Sequence, residues 1–173
     1  MEPRTIFQTD MALAYLAWGL CVFRYVWPRL RASDRSDALR AIATLHSFRF
    51  FGLAFLLPGF VGPALPAAFG TSEAYGDFVT AVLALLVLLT ARERTLFLPL
   101  VWVFNVFGTA DLLLATFHAI RADVPSVAGQ LGAAYAIVIL YVPLLLITHG
   151  VSFALLLRPA YAPARSVGTS AAQ

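Results

Sequence analysis

Lysine is missing from this chain altogether, so its 12 basic residues are all arginine. Without lysine there can be no retinal Schiff base and no lysine nucleophile. Cysteine is reduced to Cys21, which excludes an internal disulfide and a dithiol redox pair. Lying inside an apolar run, that thiol reads as a small residue packed in a helix. Charge of either sign is scarce as well: 12% of residues are charged, where soluble chains carry about a quarter. The longest polar stretch between apolar runs is 28–44, which leaves no room for a separate soluble domain. Hydrolase or transferase machinery is not visible, since there is no G-x-S-x-G, no H-x-x-x-H and no glycine-rich phosphate loop. Nor is there an internal repeat, so an inverted-repeat transporter within one chain gains no support.

What the chain does have is hydrophobicity, at 61% of its 173 residues. The predicted fold is an all-α integral membrane protein, a bundle of five transmembrane helices in one unit over 1–157. The spans are expected at about 11–27, 41–60, 75–91, 95–120 and 127–157, each long enough to cross a bilayer. The first does not read as a cleaved signal peptide, because Asp10 precedes it and Trp27-Pro28-Arg29 closes it. Asp10, Ser36 and Thr95 are the expected N-caps of spans 1, 2 and 4. Span 2 is interrupted by Pro58-Gly59 and then by Gly62, Pro63 and Pro66. A full helix with an outer loop is preferred there to a half-helix with a re-entrant tail. Span 3, rich in Ala, Leu and Val, is expected at the lipid-facing edge, and span 4 at the centre. Pro143 should bend span 5. The tail 158–173, rich in Ala, Pro and Ser, is expected to be disordered.

Arginine distribution gives orientation. The connection after span 1 has four, that after span 3 has two and the tail has two, whereas the opposite connections have none and Arg121. The positive-inside rule then sets the N-terminus outside and the C-terminus in the cytoplasm, in the plasma (inner) membrane of a bacterium. The surplus of +3 reports this topology and not nucleic-acid binding.

The greasy spans nevertheless carry ionisable groups, and each costs about 2.5 kcal/mol or more at membrane depth unless it is paired. At about 1.5 Å of rise per residue, His46, Arg49, Asn105, Asp111 and His149 fall in one layer contributed by spans 2, 4 and 5. Arg49 and Asp111 differ in depth by under about 10 Å, within reach of an arginine side chain. They are expected to pair, directly or through Asn105 or a water, and replacing both by Leu and Met should recover part of the stability lost in Asp111→Asn. His118 and Tyr135, with Asp111, are candidates for an outward-facing cleft or proton path. A b-type haem would need His46 and His149 as axial ligands, although their depths match poorly. No metal site and no cofactor is predicted. Gly129, Gly132, Ala133 and Ala136 have small-xxx-small spacing and could receive a partner helix or a second copy.

Three functions compete. A non-catalytic accessory or interaction subunit is preferred, for want of motifs and loops. A carrier or channel for protons or a small solute through the polar layer comes next. A b-type haem protein or membrane enzyme comes last.

Overall fold

The computed structural model describes residues 1–158; the expected tail lies outside the described residues beyond Arg158. Among the described residues, five helical segments are long and apolar enough to cross a membrane. These are α1 (Pro3–Ala32), α2 (Arg35–Leu56), α3 (Ala67–Leu89), α4 (Arg94–Arg121) and α5 (Ala134–Leu156). A short 3-10 helix, Val124–Leu131, precedes α5, and no strand occurs among the described residues.

The helix starts correct three expectations. Pro3 opens α1, where its missing N–H costs nothing. Asp10 therefore lies inside the helix, not at its cap, and its carboxylate accepts the Tyr135 hydroxyl at 2.7 Å. Asp34, not Ser36, caps α2, its carboxylate accepting the Ser36 backbone N–H at 2.8 Å. That hydrogen bond holds Asp34 below the usual aspartate range. Its capping contribution is therefore present above the unfolded-state value of about 3.9 and fades as pH falls through the lower folded-state value. Asp34→Ala should lower the melting temperature slightly at neutral pH, and the difference from wild type should shrink in acid. Glu93, not Thr95, occupies the cap position of α4, and Pro99 sits beyond its first turn.

Proline shapes the interiors. Both α1 and α5 contain a π turn, Val22–Val26 and Ile137–Tyr141, each ending just before a proline, Pro28 and Pro143. The widened turn relieves the clash of the ring with the preceding carbonyls. The bend expected at Pro143 thus takes the form of a π turn, and the Trp18 indole N–H donates to its Leu140 carbonyl at 2.7 Å. In α2 the α-helix Arg35–Ser47 tightens to a 3-10 helix, Phe48–Leu56, and stops before Pro58. The proline-rich loop that follows lies on the Val124–Leu131 helix, with the Gly62 N–H donating to the Gln130 carbonyl at 2.6 Å.

Packing corrects two further expectations. Helix α3 is not an outer edge: Gly70, Ala74, Thr80, Ala81, Ala84 and Val87 are buried, and it packs on both α2 and α4. The poorly covered helix is α1, which exposes Leu13, Leu16, Leu20 and Phe23. The small residues Gly129–Ala136 do not form one helical stripe either, because the chain changes from 3-10 to α through Gly132, whose φ is 53°. Gly132 faces the chain's own Phe60 carbonyl, while Gly129, Ala133 and Ala136 are exposed.

Two apolar clusters fill the bundle. One gathers Leu39, Ala43, Ala84, Phe104, Val151 and Leu155. The other gathers Phe55, Phe69, Ala74, Leu131, Ala134 and Ile139. In α2, α3 and α5 the polar residues fall between members of the two, so the polar layer is sandwiched between dry cores.

Candidate functional site

Arg49, at the start of the 3-10 part of α2, is completely enclosed. Its Nε donates to Asp77 Oδ1 at 2.7 Å, its Nη2 donates to Asp111 Oδ2 at 2.6 Å, and its Nη1 donates to the Gly108 carbonyl at 3.3 Å. The guanidinium therefore ties α2 to α3 and α4 together. Each carboxylate keeps a little exposure, 15% for Asp77 and 18% for Asp111.

Glycine makes this geometry possible, and each helix supplies one. A Cβ on Gly52 of α2 would overlap the Asp77 carboxylate, and one on Gly76 of α3 would overlap that of Asp111. On α4, a Cβ at Gly108 would lie 2.7 Å from the His149 ring and from Thr80 Cγ2. Each glycine is thus a notch that seats a polar side chain from a facing helix.

Beside the guanidinium lies the histidine layer. His46 and His149 are fully buried, with ring centroids 4.1 Å apart, and both pack on Phe104. The Thr148 hydroxyl donates to the Leu144 carbonyl at 2.8 Å, so it accepts from His46 Nε2–H at 2.9 Å. His149 Nδ1–H donates to Asn105 Oδ1 at 2.8 Å. Each imidazole is left with one bare, buried nitrogen, His46 Nδ1 and His149 Nε2, without a partner among the described residues. Glu73, one turn before Asp77 and on the same face of α3, likewise has a buried Oε1 without a partner.

The structure brings His46, Arg49, Asn105, Asp111 and His149 together, and the direct contact of the two histidine rings removes the expected mismatch in depth. The expected Arg49–Asp111 pair is not closed, however. Asp77 shares Arg49 with it, and Glu73 lies behind. Neither stands out in the sequence, because the apolar second half of span 3 dominates it; the E-x-x-G-D pattern of 73–77 is the available signal. His118 and Tyr135 are not part of this group. His118 lines a separate outer groove with Pro66, Phe69, Phe117 and Arg121, and Tyr135 is held by Asp10 against Phe7. The cleft expected from Asp111, His118 and Tyr135 is therefore not assembled.

One guanidinium shared by two carboxylates, with the Glu73 carboxyl one turn away on α3, is chemically unbalanced. Each extra carboxylate would be an uncompensated charge in an apolar setting, and a proton is the cheapest way to neutralise it. The arrangement can hold and release protons, next to two imidazoles with free acceptor nitrogens.

Among known proteins, comparison with curated sequences finds no match. Comparison with solved structures finds none either. Residues 6–157 match a family model described as a domain of unknown function (DUF8737), and since this covers most of the chain, the protein belongs to that family.

Proposed function

We propose that this is a five-span membrane protein that carries protons through the Arg49–Asp77–Asp111 centre. The N-terminus lies outside and the C-terminus in the cytoplasm, in a bacterial plasma membrane, as the arginine distribution favours. The carboxyl cluster then belongs to the outer half of the bundle and the histidines to the inner half. The observation that carries this reading is the surplus of carboxyl groups around one enclosed guanidinium. A purely structural ion pair, as in the accessory-subunit expectation, needs one carboxylate per arginine; this site has more. Haem finds less support, because the two imidazoles lie against each other and not on opposite sides of a macrocycle. A second copy could still sit on the exposed Gly129, Ala133 and Ala136 surface without taking part in this chemistry.

The test is proton uptake into vesicles containing purified protein and a trapped pH-sensitive dye, driven by a potassium diffusion potential. Wild type should acidify the lumen well above protein-free vesicles. Asp77→Asn combined with Asp111→Asn should cut the rate by about 10²-fold or more, the scale of a lost proton-transfer group. Uptake by the double variant equal to wild type would sink the reading.

A further inference from the structure

We propose that His149 is the inner proton acceptor of this centre, its Nε2 taking the proton that the carboxyl cluster gives up and passing it on toward His46. The proposal rests on the proton-carrier reading and names the residue through which that carrier continues inward.

Three observations place His149 there. Its Nδ1–H is committed to Asn105 Oδ1 at 2.8 Å, which leaves Nε2 as a base with no donor among the described residues. The imidazole lies over the Gly108 notch, and the same glycine's carbonyl accepts from Arg49 Nη1. Gly108 is also one turn from Asp111 on α4, about 5 Å along the axis, and the proposed transfer crosses that step through a bridging water. Beyond it, the His46 ring lies tilted against that of His149, with centroids 4.1 Å apart, and carries the equally bare Nδ1.

In the step proposed, the O–H bond of a protonated Asp111 breaks and an N–H bond forms at His149 Nε2. The new carboxylate stays against Arg49, and the imidazolium keeps its Nδ1–H on Asn105. Transfer of the Nε2 proton to His46 Nδ1 restores the neutral ring. Around His149 lie His46 and Arg49 from α2, Thr80 from α3, with Asp77 behind it on Arg49, and Phe104, Asn105 and, one turn beyond Gly108, Asp111 from α4. The flanking Arg49 makes the charged imidazole short-lived, which suits a relay and not a store.

The same vesicle assay distinguishes the two ideas. His149→Gln should lower uptake by about 10²-fold or more, the range for a proton-transfer group. Asn105→Asp places a carboxylate on Nδ1–H, favours the imidazolium, and should move the pH of half-maximal uptake upward, which a merely structural histidine would not do. Nitrogen NMR of the labelled wild-type protein should find His149 as the Nδ1–H tautomer at neutral pH. The relay is overturned if uptake is lost in Asp111→Asn yet kept in His149→Gln, if Asn105→Asp leaves the profile unmoved, or if the Nε2–H tautomer is found. Wild-type uptake no greater than that of empty vesicles overturns the carrier reading itself, and the relay with it.

Discussion

Arg49→Leu is expected to be the most damaging single substitution in the protein. It leaves Asp77 and Asp111 facing each other across an apolar gap with no cation between them. Removing one partner of a buried ion pair costs about 3–5 kcal/mol, and two carboxylates lose their partner at once here. Folded protein extracted from the membrane should fall to a small fraction of the wild-type yield, as read by size-exclusion chromatography at matched expression. The structure also changes the rescue. Replacing Arg49 and Asp111 by Leu and Met would still strand Asp77, so that double variant should recover little. Recovery should require Arg49→Leu, Asp77→Asn and Asp111→Met together, because that set removes every member of the triad. A double variant as stable as the triple would show that Asp77 does not depend on Arg49.

Gly76→Ala should come second, and its sign should depend on the partner helix. In wild type the added methyl overlaps the Asp111 carboxylate, so one of them must move. Overpacking of this kind costs about 1–3 kcal/mol, and displacing the carboxylate adds the loss of its contact with Arg49. In an Asp111→Ala background the obstruction is gone. Alanine should then stabilise α3 by up to about 1 kcal/mol through its better helix propensity. A double-mutant cycle followed by thermal unfolding in detergent measures the difference. Equal effects of Gly76→Ala in both backgrounds would mean that Asp111 does not lie in the Gly76 notch.

Both variants turn on contacts that a sequence alone does not show. Five apolar segments were legible, because hydrophobic length requires no knowledge of the fold. So was the grouping of Arg49, Asp111 and the histidines by depth, since a helix rises by a fixed amount per residue. Depth does not tell which way a side chain points. Asp77 lies near the middle of α3, just before a run of residues that look suited to lipid, and its orientation toward Arg49 is decided by α3 packing between α2 and α4. The caps failed for a simpler reason. Asp10 and Thr95 are good capping residues wherever they occur, but a helix starts where its whole turn can be packed, and both helices begin earlier. The spacing of Gly129–Ala136 misled in the same way, since it has meaning only on a regular α-helix and this stretch is not one.

By itself, the sequence determined that the chain forms five long apolar helices and that its few charges must find one another, because composition and helical rise are properties of the chain alone. Tertiary structure decided which charges meet: two aspartates on one arginine, a third carboxyl behind, and two histidines in contact. Those meetings depend on close approach at Gly52, Gly76 and Gly108, where a missing side chain on one helix makes room for a polar one from its neighbour.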